Sequence, residues 1–287
     1  MKNSLTLEPE KKNTLKYYMY DWDDNILIMP TMIHLETKVR DEWVKMDVTT
    51  SEFTHVRKCL YDYYEAGDKN SNWRFHNDVN EESFSEFRDF GPRGKGAFLE
   101  DTKKAIRYKK YGPVWKEFLN TLIAGNRLLI ITARGHEPQT LKGTVKWIVY
   151  KVLTASQRNR MVKNLKEWAE LFGIPHGGWD DEDYINNYLD LNSYIGIKSD
   201  WFSDNFGKQG KVSSPEKYKA IAVKYFVEKV HKFGKILDRD VKIGFSDDDL
   251  ATVESIHQYF KNELSLEFEI DFHTYHTKDD GTKTKLD

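Results

Sequence analysis

At 287 residues, with 39% hydrophobic side chains, 14% aromatics and only 7 prolines, the chain has the apolar content to bury a full core, which excludes an intrinsically disordered protein. Its 44 basic and 46 acidic side chains leave a formal net charge of −2, without the broad basic footprint that phosphate-backbone contacts require, so nucleic acid is disfavoured as a partner. A single cysteine, Cys59, excludes an intramolecular disulfide and a cysteine metal cluster, fits a reducing compartment, and reads as a small helical packing residue.

Residues 1–13 are polar and contain no apolar segment of signal-peptide length, and no run approaches the length of a membrane span, so a cytoplasmic protein with no membrane partner is expected. The first buried strand is KYYMY at 16–20, an aromatic run that stops abruptly at Asp21, Asp23 and Asp24. The interval from there to the helix at 113 is too long for a plain α/β connection. Residues 33–112 are therefore expected to form an inserted, mainly helical module. HLETKVRDEWVKM, SEFTHVRKCLYDYYEAG and FLEDTKKAIRYKK supply its helices, and Tyr61, Tyr63, Tyr64 and Trp73 its core. FGPRGKG at 90–96 is a basic, glycine-rich loop within it.

GPVWKEFLNTLIAGN predicts a helix with Pro113 at its first position, an apolar face of Trp115, Phe118, Leu119, Leu122 and Ile123, and a stop at Gly125. The second strand, RLLIIT at 127–132, follows directly. Residues 138–172 predict two helices, the latter striped by Met161, Val162, Leu165, Trp168, Ala169 and Phe172. SYIGIK at 193–198 is a third strand; SSPEKYKAIAVKYFVEKV is a helix with Ser214 as N-cap; VKIGFS at 241–246 is a fourth strand; ATVESIHQYFKNEL is the last helix. LEFEIDFHTYHT at 265–276 alternates and suits a strand nearer an edge, and residues 278–287 read as a polar tail.

Strands alternating with helices predict an α/β fold, a Rossmann-like, doubly wound and mostly parallel sheet, in which ligands gather at the carboxyl ends of the strands. Such a sheet brings Asp21, Thr132 and the run Asp247, Asp248, Asp249 to one edge. Carboxylates crowded there repel one another unless a cation joins them, and oxygen-only ligation with room for phosphate is what magnesium accepts.

These features, in this order, resemble the haloacid dehalogenase (HAD) superfamily, mostly phosphatases that work through an aspartyl-phosphate. Its four motifs are matched by Tyr20-Asp21-Trp22-Asp23-Asp24-Asn25, by LLIITARG with Thr132, by a lysine near a helix start, and by KIGFSDDD. The resemblance covers about 14–32 and 113–276. It implies a HAD-like core of residues 1–32 and 113–287, with residues 33–112 as a cap of the C1 type that closes over the site and selects substrate.

The resemblance implies Asp21 as nucleophile and Asp23 as general acid and then base, with its carbonyl on the metal. It implies Thr132 as a hydrogen-bond donor to the phosphoryl group and a lysine that neutralises charge, Lys211 just before the helix cap, with Lys217 in the first turn as the alternative. Asp21, Asp23, Asp247 and Asp248 would hold Mg2+. Asn25 stands where that family has Thr or Val, and Ser246 where Gly often precedes the acid. Arg93, Lys95, Arg134 and His136 are candidate substrate contacts, with structural roles as the alternative.

The expected function is a magnesium-dependent phosphatase acting on a small phosphorylated metabolite or nucleotide. Alternatives are a nucleic-acid end phosphatase, a phosphomutase, a metal-dependent nuclease, or a non-enzymatic binding protein on the same scaffold. The sequence fixes no oligomeric state.

Overall fold

The computed structural model describes residues 14–65, 67, 71–207, 214–278 and 280–286. Its main sheet is six-stranded, in the order β6-β5-β1-β7-β8-β9. The strands are β1 (Thr14–Asp21), β5 (Leu128–Thr132), β6 (Ser193–Gly196), β7 (Asp240–Asp247), β8 (Ile270–Thr277) and β9 (Lys283–Lys285). All neighbouring pairs are parallel except β8 with β9. The expected α/β fold with a mostly parallel sheet is therefore found.

Alternation along β1 explains why both faces are covered. Tyr18 and Tyr20 point to one apolar cluster, Leu15, Tyr17 and Met19 to another on the opposite face. The first cluster gathers α3 (Ala97–Arg107), α4 (Trp115–Ala124), α5 (Pro138–Lys151), α6 (Ala155–Leu171) and α7 (Asp181–Leu191). The second gathers α8 (Asp200–Phe206), α9 (Pro215–Ile236) and α10 (Leu250–Tyr259). Gly125 ends α4 in the left-handed region at φ 69°, the stop expected of it. No helix among the described residues is long and apolar enough to cross a membrane.

The inserted segment differs from expectation. HLETKVRDEWVKM is not helical but forms an antiparallel hairpin, β2 (Ile33–Val39) and β3 (Glu42–Val48), which β4 (Trp73–Phe75) extends to a three-stranded sheet β3-β2-β4. Alternation of Ile33 and Leu35 with His34 and Glu36 carries the strand period, and Arg40 and Asp41 adopt the positive φ of a tight turn. One face packs on α1 (Thr50–Glu65) and on Phe84 and Phe87, which flank and follow α2 (Asn80–Ser83), as a separate apolar cluster. Tyr64 stacks on Phe75 at 4.6 Å, and Tyr63 meets Tyr64 at 4.8 Å; the side chain of Tyr61 lies outside the described residues. Cys59 is exposed rather than packed.

Helix α3, expected within the insert, belongs to the core instead: Phe98 and Ala105 are buried with Trp22 and Phe118 in the first cluster. The compact insert thus ends before residue 97. The C-terminal run is not a plain tail either, because β9 pairs with β8 and Lys283 bridges to Glu117 at 2.6 Å. Residues 1–13 lie outside the described residues.

Candidate active site

The strand order reverses at β1: the chain continues to β5 and β6 on one side and to β7 and β8 on the other. A crevice opens at such a switch point, beyond the carboxyl ends of the strands. Register sets the residues level there. Asp21 pairs with Ile131, one residue before Thr132, and Tyr20 pairs with Ser246, one residue before Asp247. Asp21, Thr132 and Asp247, remote in sequence, therefore share one edge.

Beyond Asp21 the chain turns at once. The amides of Ile26 and Leu27 both donate to the Trp22 carbonyl, at 3.0 and 3.2 Å, while Trp22 is buried against Phe98 and Phe118. Asp24 takes the left-handed conformation at φ 56°, which short polar side chains tolerate. Gly112 presses on this turn so closely that a Cβ there would lie 2.3 Å from the Asn25 carbonyl oxygen.

The carboxylates of Asp21, Asp247 and Asp248 each offer an oxygen within 4.8 Å of the others. The ammonium of Lys219 donates to Asp21 Oδ1 at 2.7 Å and to Asp247 Oδ2 at 2.6 Å, with all three side chains buried. Burial alone would depress Lys219, but the two carboxylates outweigh it and hold its pKa above the ordinary lysine value. Burial pushes Asp21 up, helped by Asp247 and Asp23 and opposed by Lys219. Asp248 is also driven up, by burial and then by Asp247, Asp21 and Asp24.

Three acids and one lysine leave excess negative charge in a water-poor setting. An all-oxygen donor set with uncompensated charge fits a hard divalent cation, so Asp21, Asp247 and Asp248 could hold a metal ion. The carboxylate of Asp23 faces elsewhere. It accepts from Thr132 Oγ1 at 3.1 Å and from Arg134, whose Nε and Nη2 lie 2.8 and 2.6 Å from its two oxygens.

Among the described residues Lys219 is the lysine that meets these acids, where the sequence points to Lys211 or Lys217. Lys217 is exposed, and Lys211 lies outside the described residues. On α9, Lys219 shares the i, i+3, i+4, i+7 stripe of Ala222, Val223 and Phe226, all buried. A lysine on a buried stripe needs partners, and that was the available signal.

Arg134, a candidate substrate contact, lines the cavity and is held by Asp23 and by Thr31, to which Nη2 donates at 3.0 Å, while its guanidinium lies 4.3 Å from the Phe87 ring. His136 is buried, with Nδ1 2.8 Å from Asp89 Oδ1. Asp89 also accepts from Thr140 and the Glu137 amide, so the pair anchors the start of α5. Arg93 is bound by Asp101 through both Nη atoms, at 2.7 and 2.6 Å. Lys95 is exposed near Phe90. None of Arg93, Lys95 and His136 lines the crevice.

Asn25 and Ser246, the two departures from the resembled pattern, turn out to be partners. Asn25 Nδ2 donates to the Ser246 carbonyl at 2.9 Å and to its hydroxyl at 3.2 Å, and Asn25 Oδ1 accepts from Thr277 at 2.8 Å. One fully buried amide thereby ties the turn after β1 to the ends of β7 and β8. Gly at 246 would offer no hydroxyl, and Val at 25 no amide.

The crevice is a cavity of about 700 Å³, walled on one side by the acids and on the other by the insert, including Phe53, Phe75, Phe84 and Arg88. Arg57 on α1 crosses to Asp249 at 2.8 Å, an ion pair between insert and core. No family model, curated protein or solved structure gives a significant match to this chain.

Proposed function

We propose that the chain is a magnesium-dependent phosphomonoesterase of the haloacid dehalogenase kind, acting through an aspartyl-phosphate on Asp21. The observation that carries the reading is the buried Asp21 carboxylate at the sheet switch point, bonded to Lys219 and two residues from an oriented second acid, Asp23. Asp21, Asp247 and Asp248 would hold the metal, which would supply charge neutralisation for a bound phosphate.

An Asp21 carboxylate oxygen attacks phosphorus and the ester P–O bond breaks. Asp23 gives its proton to the departing oxygen, then takes one from the water that attacks phosphorus, releasing phosphate and restoring Asp21. Lys219 steadies Asp21 and the charge on the transferring group. Thr132 and Arg134 aim Asp23; to reach the leaving oxygen, Asp23 must release one of its contacts to Arg134. The insert would serve as the cap, and the cavity of about 700 Å³ suits a small metabolite or nucleotide.

The test is hydrolysis of an aryl phosphate with magnesium. Asp21→Asn is expected to lower kcat by roughly 10^3 to 10^4-fold, and EDTA to abolish turnover. Equal rates for wild type, Asp21→Asn and the chelated protein would sink the mechanism.

A further inference from the structure

Two cations that line the same cavity, Lys198 and Arg88, have no carboxylate in ion-pair range among the described residues. Lys198 follows β6 at the same sheet edge and Arg88 lies in the insert just after Phe87; both line the cavity. Among the described residues neither has a carboxylate within 4.0 Å, although Glu81, Asp200 and Asp204 line the same cavity. Arg88 Nε is buried without a hydrogen-bond partner, and the Lys198 ammonium sits 4.3 Å from the Phe84 ring centroid, a contact that does not neutralise it.

The backbone forces the two together. The Gly135 amide donates to the Phe87 carbonyl at 2.9 Å and the Lys198 amide to the Arg134 carbonyl at 3.1 Å, so both cations flank one loop. A Cβ at Gly135 would lie 2.8 Å from the Lys198 carbonyl oxygen and 3.1 Å from Arg88 Cγ; only glycine permits this approach. Like charges crowded in a partly desolvated cavity are costly unless an anion completes them.

We propose that Arg88 and Lys198 form a second anion subsite, so that the substrate is a small phosphomonoester carrying another phosphate or a carboxylate. The proposal rests on the phosphatase reading for the role of the first phosphate. Arg88 supplies the fork that suits a planar or tetrahedral oxyanion and Lys198 a point charge. Because one comes from the insert and one from the core, such a ligand would bridge the two. Burial, and then Arg88, lowers Lys198 to about 8, with Glu81 opposing, as expected for an ammonium awaiting its counter-ion.

The experiment compares a series of α,ω-alkanediol bisphosphates and phosphocarboxylates with the matching monophosphates that end in a hydroxyl. For the full-chain protein with magnesium, at least one doubly anionic series is expected to exceed its monophosphate in kcat/KM by roughly tenfold or more, the worth of one charge-assisted hydrogen bond. That ratio should collapse toward one in Lys198→Met and in Arg88→Gln, and persist in Lys95→Ala, which removes an exposed cation outside the cavity. Calorimetric titration of Asp21→Asn with the same compounds reads the subsite without turnover, so loss of all activity would overturn the phosphatase reading while the affinity ratio still judged the subsite. Ratios near one in both wild-type kinetics and Asp21→Asn binding would overturn the subsite, as would ratios unchanged in both cation variants.

Discussion

Two groups of charges lining the cavity are handled in opposite ways. At the strand ends, Lys219 is shared by Asp21 and Asp247, and Asp23 is held by Arg134 and Thr132. Beside the loop that follows β5, Lys198 and Arg88 stand with no carboxylate in ion-pair range among the described residues. A buried pair that is already satisfied fixes geometry and is ready before anything binds; a buried charge that is not satisfied leaves part of its binding energy for a ligand. On the proposed reading, the chemistry falls to the preorganised group and selection to the incomplete one.

The sharpest way to break this contrast is at Lys219. Lys219→Met keeps the stem and removes the shared cation, leaving two buried carboxylates to repel each other. Turnover of an aryl phosphate is expected to fall roughly 10^2 to 10^3-fold, the size of losing one preorganised electrostatic contact. Stability to urea should fall by about 3 kcal/mol, because a buried charge pair is broken on one side. Lys217→Ala, on the exposed face of the same helix, should change neither quantity. If Lys217→Ala or Lys211→Ala abolished turnover while Lys219→Met retained it, the preorganised group would have been assigned to the wrong lysine.

Asn25 tests whether that group depends on the ties behind it. Removing its side chain in Asn25→Ala strands the Thr277 hydroxyl and the Ser246 carbonyl inside the protein, at a cost of about 2 kcal/mol measured by denaturation. kcat should fall roughly tenfold as Asp21 and Asp247 lose their common anchor, since small misplacements of reacting groups are costly. Asn25→Thr and Ser246→Gly, each damaging alone, should be non-additive in a double-mutant cycle by about 1 kcal/mol. Additive effects would mean that the two departures are independent and that the amide is not the link between them.

The difference between the two groups also marks what could be read from the chain alone. Strands such as RLLIIT, bounded by turn residues and apolar throughout, announce a doubly buried parallel sheet, and their ends locate Asp21, Thr132 and Asp247 without further information. Lys219 was obscured because lysines at 211, 217 and 219 surround one helix start, and proximity to the cap competed with position on the buried stripe. The hairpin of β2 and β3 reads as helix from sequence because the charged tip between Lys38 and Lys45 interrupts a short alternation that a helix period also tolerates. Arg88 and Lys198 carry no local signal at all: each is one cation among 44 basic residues until the fold sets them beside the same loop.

The smallest expected effect is a pH dependence confined to the incomplete group. An ordinary lysine titrates near 10.5, but burial and the neighbouring Arg88 bring Lys198 down to about 8, against a smaller opposing pull from Glu81. Since the cation is the protonated form, the group carries its full charge below that value and loses Lys198 as the pH rises through it. kcat/KM reports the ionisations of the free enzyme, and the ratio of bisphosphate to monophosphate cancels those that both substrates share, including the acids around Lys219. The added phosphate is itself fully charged well above its second pKa of ~6, so it contributes no fall of its own. The ratio should therefore be flat near neutrality and decline severalfold across about one unit on either side of pH 8, leaving the part supplied by Arg88. In Lys198→Met the same ratio should start low and stay level. A wild-type ratio that held constant through this range would show that Lys198 keeps its proton in the free protein, and that the Lys198–Arg88 pair is as well compensated as the acids around Lys219.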